Sequence, residues 1–485
     1  MTDGTCNVKL SLDGISESRS TSISLDVYSM KINECKCVYP VRIIRPLNKL
    51  SVDYMENFRT TLNALQDNNC RLSHVIADNP KRAFVRNSLS HGAKFACEYC
   101  FSNGICLKDV PEIQQQATAI EKKKLRVISD SNMPEKLKKR KLLDLNTMEV
   151  KLTKSTQIVW PKNTATGEMR TIPAITKILR QLLEDSNELR DIKGILGASP
   201  LLNYQEFDFI NGIPTEYLHS ICIGLIKRIL ELCFNIGDVR TRITTRKLSC
   251  VTKFNDAMMY VKVPREFSRR CRKLDFSVLK AQELRNILLF FFPIVIECFE
   301  THAKERKLWL QLAFCVRACI LPEDEFQEHF IQTIKSTMRA FYGLYESLFG
   351  AKNCTYTVHI VASHLLDMRV HGPLTETSAF NFESFYAELR RSFVPGTPDP
   401  LKQILQKVMM KRHLSPHTCS LPIHYSQKDT PLESNSMIYI YVNNEHQFFK
   451  IRDITPSGTL ICVKQGRFPG IFPELTMPWL SLIHI

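Results

Sequence analysis

Apolar and polar residues alternate along three stretches near the start of the chain, 7–13, 22–32 and 38–44. This period is typical of strands that have one buried face. Apolar residues then recur at helical spacing in 51–68, and 71–77 alternates again like a strand. Pro80 suits the first turn of a following helix. The pattern predicts the order βββαβα, an α/β unit in which the first strand is central.

Beyond this unit the pattern changes twice. From 172 to 350 it is long, apolar and helical, which predicts an all-helical insertion. The longest apolar stretch, 286–299, is shorter than the roughly 20 residues that cross a bilayer, so it predicts one buried helix. Alternation returns after Pro431, which predicts a small β-barrel or meander. The predicted domains are a first part of an α/β core with a CxxC (1–110), a basic linker (111–171), the helical insertion (172–350), a segment that completes the core (351–415) and a small β domain (432–485).

The positive net charge of the chain indicates what kind of partner it binds. The 485 residues include 65 Lys and Arg against 49 Asp and Glu, a net charge of +16, which favours a nucleic-acid partner. The basic runs 121–126 and 135–141 are typical of solvated helix faces or linkers, with nuclear localisation or phosphate contact as the alternative. The first residues lack the apolar core of a signal peptide, which predicts an intracellular chain whose 17 cysteines are mostly reduced.

Three carboxylates are candidates for a catalytic metal site. Asp13 lies within or at the end of the predicted central strand, and Asp78 follows the fourth strand. Adjacent parallel strands would bring the two together, and carboxylate oxygens are the ligands that Mg²⁺ prefers. Either residue alone is also compatible with a turn or cap. The candidate third carboxylate is Glu383, on a predicted helix with an apolar stripe. Its alternatives are an exposed glutamate that pairs with an arginine, and the neighbouring Glu388 as the ligand.

A CxxC and an HxxxxH predict a zinc site. Cys97 and Cys100 form half of a tetrahedral site, and His359 and His364 have a spacing that supplies the other half. Such a site would join the chain just after Asp78 to the chain just before Glu383. Core histidines and free thiols remain the alternative for each pair, and substitute ligands are also present in the sequence: Cys106, His91 and His371.

The chain resembles transposases of the CACTA/Mirage/Chapaev group, from about Leu10 to the C-terminal β domain. The segments that carry the resemblance include VIADNPKRAFV, FACEYC, FDFINGIPTEYLHSICIGLIKRIL and VHIVASHLLDMRVHGPLTETSAFNFESFYAELRRSFVPGTPDPLKQIL. The resemblance implies an RNase H-like catalytic core interrupted by the helical insertion. It also implies a DDE triad at Asp13, Asp78 and Glu383. Nineteen positions separate Asp78 from Cys97 and His364 from Glu383, a spacing similar to that in the catalytic core of the V(D)J recombinase, where one zinc joins the two motifs.

Two features depart from the family pattern. These transposases carry an acidic-x-x-His motif in the insertion, usually with Asp, whereas this chain has Glu216 and His219. The alternative is that both residues only cap a helix start after Pro214. Relatives also carry a DNA-recognition region before the first catalytic Asp, and twelve residues precede Asp13 here. We therefore expect a truncated or host-adopted copy.

The sequence thus predicts a nuclear DDE enzyme that cuts and joins DNA with two Mg²⁺ or Mn²⁺ ions and keeps a structural zinc. An active enzyme is expected to be a homo-oligomer on transposon-end and target DNA, with no membrane and no small-molecule substrate. The alternative is a catalytically inactive DNA-binding or scaffold protein. Other hydrolase classes find no support, because HExxH, P-loop and GxSxG motifs are absent from the sequence.

Overall fold

The fold was analysed in a computed structural model of the chain. The structure describes residues 6–16, 24–32, 38–44, 52–153, 155–164, 167–184, 191–204, 206–234, 248–261, 279–391, 437–442, 445–454, 460–464 and 482–484. Over these residues the fold is mixed α/β and mostly helical.

The predicted βββαβα order is confirmed. Strands β1 (Cys6–Ser16), β2 (Ser24–Ile32) and β3 (Val38–Ile44) precede helix α1 (Val52–Asp67), strand β4 (Cys70–Ala77) and helix α2 (Asn79–Arg86). The sheet has the order β3-β2-β1-β4, with β1 next to β4 and parallel to it. A parallel neighbour requires a crossover, and α1 lies within it in sequence. The first strand is therefore an inner strand, as the sequence predicts.

Local chemistry sets the ends of α2. Asp78 is its N-cap, and its side chain accepts a hydrogen bond from the backbone N–H of Lys81 at 3.0 Å. Pro80 occupies the first turn, where a missing N–H costs no helical hydrogen bond. Asn87 ends the helix in the left-handed conformation, at φ 50°.

The segment 111–171, predicted as a basic linker, contains regular structure. Strand β5 (Ile105–Cys106) leads into helix α3 (Pro111–Ser129), helix α4 (Glu135–Thr153) and strand β6 (Ile158–Val159). Strands β5 and β6 pair antiparallel, and α3 packs against α4. The side chains of the basic runs are mostly exposed, as expected of solvated helix faces.

The described part of 172–350 is mostly helical, with turns and loops in the described residues between 191 and 216. It holds α5 (Ile172–Glu184), a π-helix (Tyr217–Ile226) that continues into α6 (Lys227–Phe234), α7 (Leu248–Tyr260), α8 (Ala281–Leu289), α9 (Phe292–Cys298), α10 (Ala303–Cys319) and α11 (Glu328–Phe349). The π-helix contacts α8 and lies in the main apolar core. The single helix predicted for 286–299 is wrong. The chain breaks between α8 and α9 because Pro293 cannot donate the backbone hydrogen bond that a continuous helix needs.

Two helices and a sheet follow. Helix α12 (Tyr356–His364) packs on the π-helix, and α13 (Phe380–Arg391) carries Glu383. Strands β7 (Met437–Val442), β8 (Glu445–Ile454), β9 (Leu460–Lys464) and β10 (Leu482–His484) form an antiparallel sheet in sequential order, a meander. Residues 392–436, which include positions 392–415 of the predicted core completion, lie outside the described residues. Short 3₁₀ helices occur at Leu107–Asp109, Lys162–Thr164, Pro200–Asn203, Ala351–Asn353 and Asp367–Arg369.

The chain divides into two compact units. One comprises the described residues within Met1–Asp13, Met30–Val38 and Leu50–Ser384, and the other those within Gly14–Ser29, Tyr39–Lys49 and Phe385–Ile485. The first unit contains every site residue discussed below except Glu388, which lies in the second. Within the described ranges, no helix is both long enough and apolar enough to cross a bilayer.

Candidate functional site

The structure brings the four predicted zinc ligands together. Cys97 and Cys100 lie in the loop after α2, and His359 and His364 lie on α12. Their ligand atoms are all within 4.8 Å of one another, and all four side chains are buried. The two cysteines carry free thiols, with the Sγ atoms 3.4 Å apart.

The distances fit a tetrahedral zinc ion. With Zn–S near 2.3 Å and Zn–N near 2.05 Å, a regular tetrahedron has S–S edges of about 3.8 Å and S–N edges of about 3.5 Å. The Cys97 and Cys100 sulfurs are 3.4 Å apart, and the Cys100 sulfur is 3.6 Å from His359 Nε2. The S–S distance is thus about 0.4 Å shorter than the regular edge and the S–N distance is close to it, so small shifts would let the group hold a metal such as zinc.

The polar atoms that face the group also support a metal. His364 Nδ1 is 2.7 Å from Asp367 Oδ2, and its buried Nε2 has no hydrogen-bond partner among the described residues. A carboxylate on one ring nitrogen fixes the tautomer and leaves the other nitrogen for a metal. The hydrogen bond with Cys97 lowers the pKa of the Cys100 thiol against the effect of burial, whereas burial raises the pKa of the Cys97 thiol, so Cys100 is the one that favours the thiolate form. A thiolate is the form of cysteine that binds metal.

Aromatic rings hold the two histidines in place. The ring of Trp160 stacks on His359 at 4.6 Å, and Tyr99 stacks on His364 at 5.1 Å. Helix α12 approaches the π-helix closely at Gly224, where an added Cβ would lie 2.8 Å from the side chain of Thr357. The packing of α12 against the insertion therefore determines where the imidazoles lie.

The two residues between the cysteines connect the metal group to other parts of the fold. Glu98 accepts hydrogen bonds from Arg82 Nε at 2.9 and 3.0 Å, and from the Thr215 hydroxyl at 2.7 Å. Tyr99 Oη accepts a bond from the Thr215 backbone N–H at 2.9 Å. Arg82 also donates to the carbonyl of Ala77, the residue before Asp78. The loop that carries Cys97 and Cys100, here called the metal loop, is thus joined both to the end of β4 and to Thr215, the residue before the Glu216–His219 motif.

Asp13 and Asp78 each follow a paired residue of two neighbouring parallel strands. Leu12 of β1 pairs with Ala77, the last residue of β4; Asp13 is the next residue within β1, and Asp78 lies just past the end of β4. Asp78 is half-buried, and one of its oxygens caps α2. The side chain of Asp13 lies outside the described part of the structure.

Glu383 contacts the acidic-x-x-His motif of the insertion. His219 Nδ1 is 2.6 Å from Glu216 Oε1, and His219 Nε2 is 3.4 Å from Glu383 Oε1. Glu216 is fully buried and accepts hydrogen bonds from the backbone N–H groups of Leu218 and Ala379. Ala379 immediately precedes α13, so Glu216 ties the start of the π-helix to the start of the helix that carries Glu383.

This arrangement keeps His219 protonated. Burial lowers its pKa, but the hydrogen bonds with Glu216 and Glu383 raise it to about 10. Burial likewise raises the pKa of Glu216, but the hydrogen bond and charge of His219, together with the backbone N–H groups of Ala379 and His219, more than offset this, so that the pKa is lowered. At neutral pH the three groups form a carboxylate–imidazolium–carboxylate row.

Two side chains of the sheet, Lys9 and His74, contact the chain just before α13. The buried Lys9 of β1 donates to the carbonyl of Glu376 at 2.7 Å and to its carboxylate at 3.2 Å. On β4, His74 packs edge to face against His371, which lies 3.2 Å from an Asp208 oxygen. Both strands that carry the candidate aspartates therefore contact the segment leading to Glu383.

The predicted zinc ligands lie together in the structure, but the predicted Mg²⁺ ligands do not form such a group among the described side chains. Cys97, Cys100, His359 and His364 converge, and none of the substitutes Cys106, His91 and His371 belongs to their group. Among the described side chains, no group of three or more ligands includes Asp78 or Glu383. Glu388, the rival of Glu383, is exposed on α13.

Sequence reasoning missed Glu98, Arg82 and the link from His219 to Glu383. A glutamate between two predicted metal cysteines, with an arginine on the preceding helix, was an available signal for the first two residues. No protein-family model and no curated protein sequence matches the chain.

Proposed function

We propose that this chain is a transposase-derived DDE enzyme with an RNase H-like core, which cleaves DNA phosphodiesters and transfers the strands in the nucleus. The observation that carries the proposal is the parallel pairing of β1 with β4, in which the paired residues Leu12 and Ala77 directly precede Asp13 and Asp78. Two carboxylates so arranged are a favourable start for a divalent-metal site.

The third carboxylate of the proposed site is Glu383. Its support comes from the contacts of Lys9 and His74 with the segment ahead of α13, since these two residues precede the aspartates on the same strands. His219 and Glu216 give further support, because they hold α13 from the side of the insertion. Under this proposal His219 orients Glu383 and is itself a positioning residue.

The donor set fits a hard cation. Asp13, Asp78 and Glu383 would supply oxygen ligands only, which suits Mg²⁺ or Mn²⁺, whereas the Cys and His group suits zinc. Bound Mg²⁺ would activate a water or 3′-hydroxyl and stabilise the leaving oxygen. One oxygen of Asp78 serves the α2 cap, which leaves the other for a ligand. The zinc group has a structural role in this scheme.

A second candidate function is a catalytically inactive DNA-binding or scaffold protein. The observation that favours it is that Asp78 and Glu383 both have local structural contacts, with the α2 backbone and with His219. Both candidates keep the zinc group and the basic surface. They differ only in turnover.

Nicking of supercoiled plasmid DNA with Mg²⁺ or Mn²⁺ separates the two candidates. We expect Asp78→Asn and Glu383→Gln each to lower the nicking rate at least about 100-fold, the scale of loss when a transition-state contact is removed. Glu388→Gln, on the same helix, is the matched control and should nick like the unaltered protein. Equal rates for Glu383→Gln and Glu388→Gln would remove Glu383 from the site. Absence of metal-dependent nicking by the unaltered, DNA-bound protein would favour the inactive alternative.

A further inference from the structure

The α3–α4 hairpin concentrates positive charge at its tip. Residues 121–141 contain nine Lys and Arg against three Asp and Glu, so 21 residues hold +6 of the chain's net +16. Each helix has 19 residues and is therefore about 28 Å long. The tip thus lies at the end of a long helical arm.

Within the arm, one stripe of each helix faces the other helix. The half-buried positions recur three or four residues apart, for example Lys124 and Val127 on α3 and Leu142 and Leu145 on α4. These half-buried positions, the seam of the hairpin, hold the two helices together, and few of the basic residues belong to them. Lys124 forms an ion pair with Glu149 across this seam.

Of the remaining basic side chains, Lys138 is half-buried and donates to the carbonyl of Asp130, and the other seven of 121–141 are exposed. None of them forms an ion pair with any residue in the described ranges of the chain. They lie on both helices, on the sides away from the seam: Lys122, Lys123, Arg126, Lys136, Lys139, Arg140 and Lys141. Like charges at this density repel one another, so an anionic partner would stabilise the arm.

The base of the arm is firmly attached. Strands β5 and β6 pair there, and Ile113 of α3 is buried with Val110 and Val159 in a small apolar cluster. Trp160 follows β6 and stacks on the metal-group residue His359. The base of the arm therefore packs next to the part of the fold that holds the candidate metal group.

We propose that the exposed basic faces of the α3–α4 hairpin bind the phosphodiester backbone of duplex DNA without regard to base sequence. The inference rests on the proposed function in taking DNA as the partner. A second copy of the chain fits poorly, because it would set one +6 tip against another. Exposed apolar side chains on the arm, such as Leu125 and Leu143, are too few and too interspersed with lysines to form a dry interface.

The test compares two variants of the full chain, each with six charges removed. The hairpin variant carries Gln at Lys122, Lys123, Arg126, Lys139, Arg140 and Lys141. The control carries Gln at six exposed basic positions of other helices: Lys177, Arg180, Lys304, Lys307, Lys335 and Arg339. Binding to a 30-base-pair duplex of arbitrary sequence is measured by fluorescence anisotropy between 50 and 200 mM salt without added Mg²⁺. Zinc content and circular dichroism verify the fold.

We expect the hairpin variant to bind at least about tenfold more weakly at 150 mM salt. Its slope of log affinity against log salt should be shallower by about 3 or more, because each lost phosphate contact removes roughly 0.9. The control should change by less than about threefold. Equal losses in both variants, no loss in the hairpin variant, or no duplex binding by the unaltered protein would each overturn the proposal. So would a change in self-association, measured by sedimentation, without a change in DNA affinity. Plasmid nicking is read separately, so failure of the hairpin proposal and failure of the catalytic proposal are distinguishable.

Discussion

The buried ion pair between Arg82 and Glu98 makes a sharp prediction about how the metal loop is held. We consider Glu98→Gln, which keeps the size and one acceptor oxygen of the side chain but removes its charge. The exposed fraction of the side chain is 0% for Arg82 and 5% for Glu98, so neither group is solvated by bulk water. The variant would leave the guanidinium of Arg82 buried without its counter-ion.

The expected cost follows from this burial. Removing one partner of a buried ion pair destabilises a protein by about 3–5 kcal/mol, because the remaining charge stays desolvated. Arg82 keeps two acceptors, the Ala77 carbonyl and Asn79 Oδ1, which places the expected loss near the lower end, at about 3 kcal/mol. Replacing both partners with apolar residues, as in Arg82→Met with Glu98→Leu, should cost less than Glu98→Gln alone, because the uncompensated charge of Arg82 is then removed as well. Arg86 loses its attraction to Glu98 in both variants, so it does not separate them.

The free energy of unfolding is measured in urea at pH 7 with zinc present. Glu325→Gln, at an exposed glutamate, is the control and should stay within about 0.5 kcal/mol of the unaltered protein.

The same ion pair predicts a pH dependence. Burial raises the pKa of Glu98, but the positive charges of Arg82 and Arg86 oppose this, and the net shift is downward. The stabilisation from Glu98 is therefore present above the unfolded carboxyl pKa of about 4.3 and is lost as the pH falls through the lower folded value.

A loss below about 1 kcal/mol for Glu98→Gln would refute this reasoning, since it would mean that water or another acceptor solvates Arg82. A double variant less stable than Glu98→Gln would also contradict it. That result would show that packing, and not the uncompensated charge, dominates at this position.

Three further predictions concern other groups. Cys97→Ser should lower bound zinc from about one ion per chain to a small fraction of that, by elemental analysis, and should lower the melting temperature, because the fold and the metal are coupled. His219→Gln should lower the nicking rate more than it changes duplex affinity, because it removes the group that orients Glu383; an unchanged rate would contradict that role. Burial, then Lys9 and His371, lower the pKa of His74 to about 3. Because an unfolded histidine has a pKa near 6.5, lowering the pH from 7 to 5 should cost about 2 kcal/mol of stability through His74, and His74→Asn should lose less over this range.

The strands and helices of the α/β unit could be predicted from the local pattern of apolar residues. The alternation in 38–44 matches β3, and the helical spacing in 51–68 matches α1 within one residue at each end. These patterns are informative because one face of each element is buried, so the period of apolar residues reports the backbone directly. The ligand spacing of the Cys and His pairs was similarly informative, since metal geometry constrains it.

Other features depend on contacts between distant parts of the chain. Glu98 meets Thr215, and His219 meets Glu383, across separations that no local period records. The apolar run 286–299 predicts one helix because period alone does not weigh the effect of Pro293. The basic residues of 111–171 predict a solvated segment. They do not predict that helices α3 and α4 form there and pack against each other.

The contacts of Glu98 and Glu216 bear on the role of the helical insertion. Thr215 binds Glu98 and Tyr99 of the metal loop, and the next residue, Glu216, binds the start of α13 and His219. Two adjacent residues of the insertion therefore connect the loop beyond Asp78 with the helix that carries Glu383. Because these bonds are buried, their loss would leave unpaired polar groups on both sides. The insertion is thus part of the framework that positions the candidate carboxylates, and deleting it should abolish folding of the site and leave no smaller functional core.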